Sequence, residues 1–203
     1  MELVAKGLTV ERGERRVINA LDLRVGPREA LVVTGANGAG KSTLLRALAG
    51  LVRAAAGRVT LGADALPGDA VAYAGQLHFI GHQGGAKGAL TAAENIAFWR
   101  GVLGAPDGAS GDALDAFGLR PFAHLPAAYL SQGLRRRLAL SRLVAVPRPL
   151  WLLDEPAAGL DAASRATLGR VIEAHRTGGG MVVMASHGEL ALDNARVLAL
   201  GGA

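Results

Sequence analysis

Residues 35–43 read GANGAGKST and fit the pattern G-x-x-x-x-G-K-[ST]. No other stretch limits the fold as strongly. The apolar run EALVVTG leads into it and reads as a buried strand, and KSTLLRALAGL after it reads as an amphipathic helix. At such a junction glycines let successive backbone N–H groups close on an anion, and the positive end of the helix adds to the attraction. The plainer reading is a glycine-rich turn that caps a helix, but the order strand, loop, helix favours a phosphate cradle. In a cradle Lys41 reaches the β- and γ-phosphates and the Ser42 hydroxyl ligates Mg²⁺. Gly35, Asn37, Gly38, Ala39, Gly40 and Thr43 complete the nucleotide contact.

A cradle of this kind sits on a parallel sheet, and the rest of the chain supplies one. LVAKGLTV and VINALDLRV read as two short strands across the charged turn ERGERR, with GRVTLG and LHFIG as further strands. From Thr91 to about Val146 the period turns helical, with a loop at GAPDGASGD and breaks at Pro121 and Pro126. PLWLLDE, GMVVMAS and ARVLAL are strands, and AASRATLGRVIEAHR lies between the first two as a helix. Alternation of this kind predicts an α/β fold with a parallel sheet, N-terminal β strands and an inserted helical subdomain over roughly 84–146. At 203 residues the chain is expected to be one domain spanning 1–203.

The absence of cysteine excludes disulfides and thiolate metal sites. No apolar run approaches the roughly 20 residues that cross a bilayer, and MELVAKGLTVERGERR has no apolar core ahead of its charges, so no secretory leader is expected. A net charge of +5 permits an anionic partner without arguing for one. The arginine clusters lack interleaved aromatic residues for base stacking, so nucleic acid is not expected as a partner.

The cradle needs acids and a water-orienting group. Asp154 ends the apolar strand PLWLLD, at the edge where open α/β sheets place ligands. There it suits the Mg²⁺ shell, while Glu155 suits polarisation of an attacking water. His187 ends the apolar strand MVVMAS and is a candidate for the γ-phosphate, although a histidine at a strand end is more often structural. AGLD, ending in Asp161, reads by itself as a helix N-cap. YLSQGLRRRLALSR opens a helix with Ser131 as N-cap and no acid in its first turn, which suits an external anion. Arg135, Arg136 and Arg137 read by base rate as a solvated basic face.

The phosphate loop, Gln83, LSQG, LLDEP, AGLD and SH, in this order and over essentially the full length, resemble the ATP-binding subunits of ABC transporters. The resemblance implies that two copies sandwich two ATP molecules, with Ser131 and Gly133 of one completing the site of the other. It implies that Gln83 senses Mg²⁺ and a membrane partner, that Asp161 lies at the seam, and that Glu155 and His187 are catalytic. FIGHQGGAKGALTAAENIAFW, LWLLDEP and the 16 residues after His187 resemble the haem-exporter ATPases of cytochrome c maturation. That likeness implies integral membrane subunits of the CcmB and CcmC kind. It also implies a peripheral position at the cytoplasmic face of the bacterial inner membrane. Haem would be exported, or released from its chaperone.

Three positions depart from the family pattern. Gln132 and Leu134 replace the Gly and Gln of LSGGQ, and Arg12 stands where an adenine-stacking aromatic is expected. A guanidinium can stack on a purine, and Arg12 can equally be a turn residue. His78 and His82 lie four apart on one strand, about 13 Å from each other; this is too far for one ion, so both are expected to be structural. Phe98 and Trp99 are candidates for a docking face on the helical segment, with at least one of them expected in the core. Two other functions compete: a P-loop kinase, which would need an acceptor site, and a nucleotide-dependent interaction module.

Overall fold

The computed structural model describes residues 1–82, 84–105 and 110–201. Strands β1 (Leu3–Arg12) and β2 (Arg15–Val25) form an antiparallel hairpin. Strand β3 (Ala30–Thr34) runs through the phosphate loop into helix α1 (Lys41–Leu48). Strands β4 (Ala56–Leu61) and β5 (Asp64–Leu66) then return to the hairpin, giving a four-stranded sheet of order β2-β1-β4-β5. After α2 (Ala70–Ala74) and β6 (Leu77–Ile80), the helical segment holds α3 (Ala92–Val102), α4 (Ser110–Ala116), two 3₁₀ turns and α5 (Gln132–Ala145). Strand β7 (Leu150–Asp154), helix α6 (Ala162–Thr177) and strands β8 (Met181–Ala185) and β9 (Arg196–Ala199) follow. The second sheet is parallel, in the order β6-β7-β8-β3-β9.

Both faces of the parallel sheet are covered, which is why β7 and β8 are buried at every position. Successive side chains alternate between the two layers. Trp151, Leu153, Val182 and Met184 face the core formed with the helical segment and α6. Leu150, Leu152, Met181 and Val183 face α1 and the antiparallel sheet. All the strands expected from the sequence are present. Two short elements went unread: β5, and α2, which Asp69 caps by accepting from the Val71 and Ala72 N–H groups. Tyr73 of α2 is buried, and its hydroxyl donates to the Leu48 carbonyl at the end of α1 (2.6 Å). Helix α4 begins inside the stretch read as a loop. Among the described residues no helix is long and apolar enough to cross a membrane.

His78 is structural, as expected. It is buried on β6, with Nε2 2.7 Å from the Val146 carbonyl oxygen. Burial pushes its pKa down from 6.5 to about 4. The unfolded chain therefore takes up a proton here before the folded one does. This stability is complete above pH 6.5 and is lost as pH falls from 6.5 toward 4, at up to about 1.4 kcal/mol per pH unit. His175, also lowered by burial, acts in the same direction. Chemical denaturation across this range should show the decline, and His78→Gln should flatten it. An equally steep decline in the variant would count against His78 as its source.

Candidate active site

The phosphate loop joins β3 to α1, and its backbone depends on glycine at both ends. A Cβ on Gly35 would fall on the Leu200 carbonyl, just beyond β9. Gly40, the N-cap of α1, has φ 101°, and a Cβ there would meet Val17 Cγ1 at 2.7 Å. Helix α1 has neither a side-chain cap nor an acid in its first turn, so its leading N–H groups remain available to an anion. Lys41 is buried, and Nζ donates to the Gly35 and Ala36 carbonyls (2.7 and 3.1 Å). Its ammonium is thereby held over the loop.

Strand register brings the acids to the same point. Asp154 is the last residue of β7 and is buried, and its Oδ1 accepts from the Ser42 hydroxyl at 3.0 Å. These two hard oxygen donors, one of them a carboxylate, fit Mg²⁺ chemistry. Next in sequence, Glu155 takes up φ 47°, a left-handed conformation that a non-glycine residue keeps only where its surroundings impose it. Its N–H donates to the Ala185 carbonyl at the end of β8 (3.1 Å). His187 lies two residues beyond that strand, and its Nε2 is 3.1 Å from Glu155 Oε1. Val17, Asn37, Gly38, Gly40, Lys41, Ser42, Thr43 and Glu155 line a cavity of about 250 Å³ over the loop.

The other expected residues lie elsewhere. Ser131 caps α5, accepting from the Leu134 N–H at 3.2 Å, and a Cβ on Gly133 would have the Gly159 carbonyl 3.6 Å away. Asp161 caps α6 by accepting from the Ser164 N–H at 2.7 Å, and this bond holds its carboxyl below the usual range. None of these three lines the phosphate-loop cavity of its own chain. Gln83 lies outside the described residues. Its neighbours His82 and Gly84 border a second cleft of about 350 Å³, shared with Gln132, Arg135, Arg136, Ala158 and Gly159. Arg12 ends β1 opposite Arg15 and is exposed, and Val17 lines the phosphate-loop cavity.

The reading of Arg135, Arg136 and Arg137 as a solvated face holds for Arg135, which is exposed, and needs correction at Arg136, which is buried, with Arg137 half-buried. Arg136 and Arg142 are each only 7% exposed. Arg135 turns back to the Ala128 and Leu130 carbonyls, and Arg137 reaches the Phe117 carbonyl. Arg142 stacks over Trp99 at 4.5 Å, leaving Trp99 half-buried, while Phe98 beside it is exposed.

Residues 18–158 match the ABC transporter family model. The cytochrome c biogenesis ATP-binding export protein CcmA of Nitrobacter winogradskyi is 46% identical over 204 residues, covering 100% of both chains. The protein of the same name from Rhodospirillum rubrum is 48% identical over 189 residues, or 93% of this chain and 81% of the relative. Among solved structures, an ATP-binding subunit of an ABC transporter superposes with a TM-score of 0.85 at 22% identity, over 92% of this chain and 80% of that one. An ABC transporter ATP-binding protein of Pyrococcus furiosus superposes with a TM-score of 0.83 at 19% identity, over 98% of each.

Proposed function

We propose, on the premise that the chain belongs to the ABC transporter family, that it is the ATP-hydrolysing subunit of a transporter complex serving cytochrome c biogenesis. The observation that carries this reading is the convergence of Lys41, Ser42, Asp154, Glu155 and His187, from the start of α1 and the ends of β7 and β8, around one glycine loop. The relatives named above, similar over nearly the whole chain, direct that hydrolysis to cytochrome c biogenesis.

The loop N–H groups and the uncapped start of α1 bind the phosphates, and Lys41 exchanges its carbonyl partners for phosphate oxygens. Ser42 and Asp154, with Gln83, would hold Mg²⁺, which neutralises phosphate charge. Glu155 orients the attacking water and draws off its proton as the bond from the γ-phosphorus to the bridging oxygen breaks. His187, held against Glu155, keeps that water in line. Catalysis is thus positioning plus charge stabilisation.

The start of α5 supports a role for a second copy. Helices α3 and α6 begin with an acid of their own, Glu94 in a capping box and Asp161 at the cap. Helices α1 and α5 have neutral caps and no first-turn acid. In a nucleotide sandwich, Ser131 and Gly133 would offer that acid-free N-terminus to ATP held by the other copy, with Asp161 at the seam. Membrane subunits of the CcmB and CcmC kind would dock near Phe98, placing the protein at the cytoplasmic face of the inner membrane. The cycle would there energise haem export or haem release from a chaperone.

Complementation tests this reading. In a bacterium lacking its own cytochrome c biogenesis ATPase, the wild-type chain should restore covalent haem staining of c-type cytochromes, and Lys41→Ala should not. Equal restoration by Lys41→Ala would refute an ATP-driven role.

A further inference from the structure

Arg136 lies in the second turn of α5, just behind the Ser131–Gly133 opening, and its charge is buried. Nε donates to the Pro156 carbonyl at 3.2 Å. One terminal nitrogen donates to the carbonyls of Gly81 (2.8 Å) and His82 (3.3 Å), and the other to those of Asp154 (3.1 Å) and Glu155 (2.7 Å). These contacts use the whole donor set of a guanidinium, entirely on backbone oxygens. Burial lowers the pKa of Arg136, and attraction from Asp154 and Glu155 partly offsets that.

Three of the five acceptors are consecutive carbonyls, 154 to 156, bracketing the left-handed residue Glu155. The Glu155 N–H is already engaged by Ala185. Arg136 therefore closes the other side of a backbone turn that its own sequence does not favour. The remaining two acceptors, Gly81 and His82, lie just beyond β6 and immediately before Gln83.

We propose that Arg136 is a positioning residue for hydrolysis: it clamps the 154–156 backbone so that the Glu155 carboxylate faces the attacking water. The same clamp ties that carboxylate to the helix whose N-terminus serves the other copy's nucleotide. The proposal rests on the hydrolytic reading of Glu155.

Lysine keeps the charge but replaces a planar fork with one compact ammonium, so it cannot span five carbonyls. Arg136→Lys should lower kcat by about tenfold or more while the KM for ATP changes by less than about threefold. ATP-driven dimer formation should persist. Arg142→Lys is the control, because Arg142 is also buried on α5 but donates to the Phe79 carbonyl (2.8 Å) rather than to the carbonyls of residues 154–156. Its kcat should stay within about twofold of wild type. Rates are compared per folded protein, measured by circular dichroism, and Arg136→Gln serves as the second variant if the lysine form folds poorly.

A wild-type kcat in the Arg136 variants would overturn the clamp. So would equal kcat losses at positions 136 and 142, or loss of ATP binding together with turnover at position 136. Absence of ATP turnover in the wild-type chain would instead overturn the hydrolytic reading, and the proposal with it.

Discussion

Glu155→Gln leaves a chain that binds ATP and pairs with a second copy but turns over about 10²–10⁴-fold more slowly, the range expected when a general base is removed. The substitution is close to isosteric. The bond to Ala185 and the bond from the Arg136 guanidinium use only the backbone N–H and C=O of residue 155, so the φ 47° turn survives. Lys41, Ser42 and Asp154 are untouched, and the phosphates keep their partners. What disappears is the carboxylate that faces His187 at 3.1 Å, the group proposed to take a proton from water. Phosphate release at saturating ATP should collapse, while size-exclusion chromatography with Mg-ATP should show a stable dimer. Turnover near the wild-type rate would remove Glu155 from the mechanism.

The second large effect appears only in mixtures. Lys41→Ala removes the ammonium above the loop, and Gly133→Asp sets an anion at the α5 N-terminus where a phosphate is expected. Each variant alone should lack turnover. Mixed in equal amounts, they should recover about a quarter of the wild-type activity per chain. Random pairing makes half the dimers mixed, and each mixed dimer has one undamaged site. The structure motivates this test because Ser131 and Gly133 do not line the cavity of their own loop. A mixture as inactive as its components would mean that each site is complete within one chain.

Much of this architecture can be read from local sequence. Glycine at positions 35 and 40, the apolar run ending at Asp154 and the strand ending before His187 each declare themselves within a few residues. Their convergence follows from the parallel register that sets Asp154 beside Ala185. The fate of the arginine run is not local. Arg136 bonds to carbonyls up to 55 residues away, and no periodicity distinguishes a guanidinium that finds such partners from one that meets water. Helix α2 escaped for a related reason: five residues are too few for a helical repeat, and its cap and buried Tyr73 take effect only against α1. The left-handed turn at Glu155 was equally hidden, because tertiary contacts on both sides impose it.

The position of β3 within its sheet also governs when the nucleotide site can exist. Its neighbours are β8 and β9, the last two strands of the chain, about 150 residues further on. At ribosomal speeds that interval is on the order of ten seconds. The phosphate-loop strand therefore emerges early and waits, apolar and without its partners, while the helical segment and β7 are made. Only then can the Leu200 carbonyl come to rest against Gly35. ATP binding is thus a late event in biosynthesis, and a nascent chain stalled before β8 exposes an unpaired apolar strand rather than a half-built ATPase.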